Sequence, residues 1–318
     1  MIGATGFIGN ALSECLTRNG VDVVATGRGV ENTSSIQYTW ITLDLPNPPP
    51  QSAFENVDVV FHLAAKAHSV SEARQDPALY DAVNHQGARV VAEAASRAGV
   101  RRLVLMSSVK AIKPPALGPV AEDALGWPTD PYGRSKRQAE EAVLHIAQSG
   151  GCEAVVLRPA LVYGPGVRGN LASVMTALER GRKPPLPHVQ NRRSMVGLED
   201  LVTATLLSAR HPAAAGQRYV VTDGEVYSTD RIIDALAAAV GHVEEPRFRI
   251  PLSALRVGAL AGDAYAKIAH RRLPIDTAAL DRLAGDSEYV SEKIHKQLSF
   301  VPTMTLERAA AEMVTYRS

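Results

Sequence analysis

The sequence predicts an α/β protein, a doubly wound parallel sheet followed by a smaller C-terminal region. Three observations lead there. Short β-branched runs alternate with helical stretches through the first half, the runs are apolar enough to be covered on both faces, and a glycine-rich turn opens the first helix. A length of 318 residues suits one large domain or two interleaved ones.

The elements follow in order. Gly3-Ala4-Thr5-Gly6-Phe7-Ile8-Gly9 is the turn, and residues 9–19 continue it as a helix. Residues 21–26 and 57–63 read as buried strands, with a stiff surface turn at Asn47-Pro48-Pro49-Pro50 between them. Helical spacing runs over 77–98, where Leu79, Val83, Val90, Val91 and Ala94 fall near one side. Strand 103–106, helix 132–148 and strand 154–157 complete the alternation. Punctuation then changes: Gly164-Pro165-Gly166 and the proline-rich 184–187 form loops, and helices resume at 198–209 and 229–240. A strand at 217–221 is able to return to the first sheet. The expected division is 1–165, joined by about 195–225, against 166–318. Only Met1 and Ile2 precede Gly3, so the first strand reads as truncated, with about five residues expected upstream; in-frame codons before Met1 check this.

Composition narrows the class. Hydrophobic residues make up 46% and charged ones 21%, an ordinary globular balance. A formal charge of +1 and an aromatic content of 5% offer neither an electrostatic footprint nor stacking material for nucleic acid. No run approaches the roughly 20 apolar residues that span a bilayer. Two cysteines make neither a disulfide framework nor a zinc site, and no metal is expected. With no basic leader at its start, the chain is expected to be cytoplasmic.

The glycine turn carries the first chemical signal. Small residues at Gly3, Thr5, Gly6 and Gly9, with Phe7 and Ile8 opening the helix, let backbone N–H groups approach a pyrophosphate. The second strand runs into Gly27-Arg28 with no acid before Glu31, which favours NADP(H) while leaving NAD(H) possible. The plainer reading of Arg28 is a solvated loop residue. Asp44 is a candidate adenine contact or a turn residue before Pro46.

Tyr132 and Lys136 stand at i and i+4, about 6 Å apart along a helix axis. An ammonium beside a phenol lowers its pKa, giving an acid/base pair for alcohol–ketone chemistry. Asp130-Pro131 starts that helix. Ser107 and Ser108 end an apolar strand where open α/β sheets bind ligands; either one of them orients a reacting oxygen or both cap or turn the backbone. His62 reads as a packed strand histidine, Cys15 as core, and Cys152 as an unreactive thiol. His188 is either surface or a hydroxyl contact from a pocket loop, and His270-Arg271-Arg272 a solvated face or a phosphate contact.

Taken together, the glycine turn, His62-Leu63-Ala64-Ala65, Ser107-Ser108, Tyr132…Lys136 and Arg158-Pro159…Tyr163-Gly164 resemble the extended short-chain dehydrogenase/reductase family, over about 165 residues. Gly169-Asn170-Leu171 and Arg192-Arg193-Ser194 resemble its nucleotide-sugar branch. The resemblance implies a Rossmann domain holding NAD(P) and a C-terminal region holding a nucleoside-diphosphate sugar. It assigns Ser108, Tyr132 and Lys136 to catalysis, with Tyr132 and Lys136 also at the cofactor. Leu63, Ala64, Ala65 and Asn84 fall to the cofactor, and Ser108, Asn170, Arg193 and Arg282 to the substrate. A homodimer through helices 77–98 and 132–148 is implied as well.

Departures refine this. Leu161 stands where UDP-sugar epimerases of the family carry Asn, and Leu298-Ser299-Phe300-Val301-Pro302 replaces the usual Leu-Gly-Trp-x-Pro ending. Ser107-Ser108-Val109-Lys110 and Arg28 look more like 4-keto-sugar reductases of the UDP-N-acetylquinovosamine dehydrogenase type. The expected function is reduction at C4 of a UDP-sugar for polysaccharide precursors. A UDP-hexose 4-epimerase is the alternative within the family, and a non-catalytic NADP-binding regulator the alternative outside it.

Overall fold

The computed structural model describes residues 1–29, 38–66, 76–113, 118–124, 126–183, 187–241, 249–269, 277, 280 and 284–317. It falls into two compact units: Met1–Val162 with Leu198–Thr222 and Tyr289–Thr303, and Tyr163–Gly197 with Asp223–Glu288 and Met304–Ser318.

The first unit begins with α1 (Phe7–Arg18), which buries Gly9, Leu12, Ser13 and Leu16 on one stripe. β1 (Val24–Gly27) pairs in parallel with β2 (Thr39–Thr42), a strand absent from the sequence expectation. β3 (Val59–His62) pairs in parallel with β4 (Arg102–Met106), and β4 with β5 (Glu153–Pro159). The expected returning strand is present at Arg218–Val221 and lies parallel beside β5. Ile2 bridges Thr26 on one side and His62 on the other, so Met1 and Ile2 occupy the place between β1 and β3. Their backbone joins the two edges: Ile2 N–H donates to Phe61 O at 2.8 Å, and Thr26 N–H to Met1 O at 2.9 Å.

Helices cover both faces. The helix expected over 77–98 is present as α2 (Pro77–Tyr80), a π-type turn (Asp81–Gln86) and α3 (Gly87–Arg97). The wide turn breaks the 3.6-residue stripe, which is why Leu79 is exposed while Tyr80 is buried, against the expected face. Beyond it, Ala88, Val91, Ala92 and Ala95 pack with Val60, Leu103, Leu105 and Val156. α4 (Pro131–Gly150) adds Ala139, Val143 and Leu144 to the same core. A short β6 (Leu161–Tyr163) follows β5.

In the second unit, α5 (Asn170–Glu179) precedes β7 (Arg193–Gly197). The first unit resumes with α6 (Leu198–Arg210), which packs on α1 and on β4, and with the Arg218–Val221 strand, β8. Back in the second unit, β9 (Val226–Tyr227) pairs antiparallel with β7. α7 (Thr229–Val240) matches its predicted bounds, starting at Ser228, whose hydroxyl accepts from Arg231 N–H at 3.0 Å. α8 is Leu252–Ala269. α9 (Glu292–Leu298) belongs with the first unit and packs on β8. α10 (Leu306–Thr315) packs on α7 in the second. Among the described residues, no helix is long and apolar enough to cross a membrane.

Candidate active site

At the head of the sheet, Gly3 takes φ +89°, and a Cβ there would lie 2.6 Å from Ala64 N. A Cβ on Gly9 would overlap the Gly3 carbonyl oxygen. The glycines thus let the turn, α1 and the Leu63–Ala65 stretch close on one another. α1 starts at Gly6 with no side-chain cap and no acid in its first turn, leaving its first N–H groups to the positive end of the helix dipole. The donor set suits a dinucleotide's pyrophosphate, so these residues fit an NAD(P) group.

At the end of β1, Gly27 is required by its neighbour, since a Cβ would fall 2.6 Å from the Trp40 ring. The Trp40 indole donates to Gly29 O at 3.2 Å and braces the turn that carries the exposed Arg28. Thr5 is exposed, and its hydroxyl would stand 3.6 Å from a Cβ on Gly27. Asp44 is exposed, and its carbonyl accepts from Asn47 N–H at 3.0 Å, a turn contact. Nothing in the sequence signals Trp40, because its role depends on the pairing of β1 with β2.

Asn84 is buried in the π-type turn. Its Oδ1 accepts from Lys66 N–H at 2.8 Å, and its amide donates to Ser135 Oγ at 3.0 Å. It therefore ties the stretch after Ala65 to α4.

Ser108, Tyr132 and Lys136 converge at the end of β4. Asp130 caps α4, accepting from Gly133 N–H at 2.9 Å. A Cβ on Gly133 would lie 2.8 Å from Pro128 Cβ and would overlap the Lys110 carbonyl oxygen, so glycine lets α4 press onto the 3₁₀ turn Val109–Ala111 that follows Ser108. Ser108 caps that turn, accepting from Lys110 N–H at 3.2 Å, and also hydrogen-bonds Tyr132. The Tyr132 ring meets buried Tyr80 edge-on at 5.9 Å. Ser107, the other candidate hydroxyl, is buried and bonded to Glu140.

The electrostatics depart from the sequence expectation. Burial pushes the Tyr132 phenol up to about 12, against the pull of its Ser108 hydrogen bond. The Lys136 ammonium, buried, donates to Met106 O at 2.6 Å. Burial lowers its pKa to about 8, with Glu140 acting in the opposite sense. The sequence expectation is a phenol lowered by Lys136; desolvation instead dominates, and the opposing pull comes from Ser108. His62 is packed, as expected: burial first and Lys136 second bring it down to about 3, so it is neutral.

In the second unit, Asn170 is exposed in the first turn of α5. Arg193 opens β7 partly buried; its Nη2 donates to Gly285 O at 3.4 Å, and burial lowers its pKa. Arg192 points into solvent and pairs with Glu288 at 2.5 Å. His188 is exposed beside Asp230 at 2.8 Å. Arg282 and the 270–272 run lie outside the described residues. No group of His, Cys, Asp and Glu among the described residues is placed to hold a metal ion.

Comparison with known proteins places these features in a lineage. Residues 1–222 match the family model described as NAD dependent epimerase/dehydratase family. The UDP-glucose 4-epimerase of Vibrio cholerae is 30% identical over 313 residues, covering 96% of this chain and 91% of that protein. The UDP-glucose 4-epimerase of Mycolicibacterium smegmatis is 33% identical over 267 residues, 78% of this chain and 84% of that one. Among solved structures, MoeE5 in complex with UDP-glucose and NAD superposes with a TM-score of 0.79 at 25% identity, over 99% of this chain and 97% of that chain.

Proposed function

The chain belongs to the NAD dependent epimerase/dehydratase family, enzymes of the extended short-chain dehydrogenase/reductase class, and on that premise we propose that it transfers hydride at C4 of a UDP-linked sugar. The observation that supports this most directly is the convergence of Ser108, Tyr132 and Lys136 at the end of β4, beside the stretch that closes on the glycine turn.

In this reading Gly3, Gly6, Phe7, Ile8 and Gly9 hold the pyrophosphate through backbone N–H groups, with Thr5 at the rim and Ala64 and Ala65 lining the same stretch. A bound nicotinamide dinucleotide supplies or accepts the hydride. Tyr132 exchanges a proton with the C4 oxygen, Ser108 orients that oxygen by hydrogen bonding, and Lys136 holds the nicotinamide ribose as a cation. Asn170 and Arg193 bind the substrate's diphosphate, Arg193 through a guanidinium suited to bidentate phosphate contact.

Net reduction of a 4-keto sugar by NADPH is the preferred direction. Arg28 follows β1 where a 2′-phosphate would be met, and a phenol held near 12 is protonated at neutral pH, the form that gives a proton to a developing alkoxide. A second reading, 4-epimerisation, is favoured by the two relatives named UDP-glucose 4-epimerase. A panel of UDP-sugars and their 4-keto forms separates the readings. Stoichiometric NADPH consumption supports the reductase. Interconversion of UDP-glucose and UDP-galactose without net cofactor consumption supports the epimerase. Turnover of neither class by protein that binds NADPH would overturn the assignment to C4.

A further inference from the structure

One turn beyond Lys136, α4 carries a second buried ionisable group that the reaction above leaves unused. Glu140 and Arg158 are both fully enclosed and form a two-pronged pair: Arg158 Nε donates to Glu140 Oε1 at 2.9 Å, and Nη2 to Oε2 at 2.5 Å. Arg158 also donates to Glu122 O at 2.8 Å. The Ser107 hydroxyl closes a short hydrogen bond on Glu140 Oε1.

The placement is what matters. Lys136 grips the carbonyl of Met106, and Glu140 grips the side chain of the next residue, Ser107. Two successive turns of α4 therefore hold two successive residues at the end of β4. Ser108, the partner of Tyr132, comes next in the chain. Arg158 anchors the carboxylate from β5, so helix and two strands are locked at the point where Ser108 leaves the sheet.

We infer that Glu140 and Arg158 are positioning residues for this site: they fix the Met106–Ser108 segment, whose Met106 carbonyl Lys136 holds, against α4. The inference rests on the functional reading above. Isolated structural pairs of this kind are often replaceable by apolar groups without loss of stability, so stability alone gives no reason for an ion pair here. A neighbouring ammonium does. Groups facing Lys136 are Glu140 on its own helix and His62 on β3. Arg158, and Arg218 on β8 at 3.5 Å, reach Glu140 from the other side. His62 is neutral, and Glu140 is the anion that supports the Lys136 charge.

The test uses the full chain and the double variant E140Q/R158M, which removes both charges of the pair together, alongside S107A, which keeps the pair and removes only the hydroxyl link. Melting temperature reports the fold. The pH dependence of kcat/KM, and separately of the Kd for NADPH followed by fluorescence, reports Lys136. A folded double variant is expected to lose its alkaline limb about one pH unit early, equivalent to about tenfold fewer charged Lys136 above the transition. S107A is expected to lower kcat several-fold with its alkaline limb unmoved. A folded double variant whose pH profiles superpose on those of the parent would overturn the inference, as would S107A with parental kcat, which decides the matter if the double variant fails to fold. Retained turnover in Tyr132→Phe would instead overturn the underlying functional reading, and the substrate-free NADPH titration then still decides on the pair.

Discussion

Replacing Gly133 by alanine pits helix propensity against packing. In an open helical position, Ala is favoured over Gly by about 1 kcal/mol. Here the added methyl would sit 2.8 Å from Pro128 Cβ, 2.7 Å from Asp130 Oδ2 and inside the contact radius of the Lys110 carbonyl oxygen. A backbone carbonyl has no rotamer to change, so α4 must lift from the turn after Ser108 by about 0.5–1 Å. Overpacking of this kind costs about 1–3 kcal/mol, which leaves a net loss of up to about 2 kcal/mol. The larger consequence is for the Ser108–Tyr132 hydrogen bond, where a misplacement near 1 Å costs about 100-fold in rate. The expected outcome for Gly133→Ala is a folded protein with NADPH affinity near parental and kcat lower by about two orders of magnitude, measured by NADPH oxidation with the preferred 4-keto sugar. Gly258→Ala on α8 meets nothing within 4 Å and serves as the control, with parental activity and equal or slightly higher stability. Parental kcat in Gly133→Ala would refute the claim that this close approach sets the site.

Tyr132→Phe should lower turnover by at least about 100-fold while leaving NADPH binding intact, since it removes the proton donor and little volume; calorimetric titration and steady-state assays check both halves. Arg28→Ala should weaken NADPH binding by roughly 10- to 100-fold, the worth of a charge-assisted hydrogen bond, and leave NADH binding nearly unchanged. An equal effect on both cofactors would remove Arg28 from the 2′-phosphate. His62 supplies an acid-side prediction: its folded pKa, about 3, lies below the unfolded value near 6.5. Its contribution is therefore intact above pH 6.5 and is lost as pH falls toward 3, by about 1.4 kcal/mol per pH unit at most. Melting temperatures of His62→Gln should decline less steeply between pH 6 and 4 than those of the parent; matching slopes would contradict this.

Much of the first unit was legible in the chain because its signals are local. Asp130-Pro131 marks α4, and the alternation of apolar runs marks β3, β4 and β5. β2 escaped notice because Thr39-Trp40-Ile41-Thr42 is short, and its meaning lies in pairing with β1. The π-type turn inside the 77–98 helix escaped because apolar spacing fits either winding over so few residues. At the candidate site, spacing singled out Tyr132 and Lys136 but misjudged the direction of the phenol's shift, because burial is a property of the folded surroundings and spacing says nothing about it. Arg158 stands in a quoted motif and Glu140 in none; only the packing of α4 on β5 makes them partners. Gly133 is the same case, since no neighbour in sequence announces that Lys110 will lie against it.

The indole resting on Gly27 has a practical side. The chain contains two tryptophans, and the other, Trp127, is half exposed with Arg137 over its ring at 5.8 Å. Trp40, by contrast, is pinned through its ring N–H to the Gly29 carbonyl, on the turn that carries Arg28. The protein therefore carries a native optical probe at the far end of its glycine cradle, and emission from Trp127→Phe protein arises from that one place.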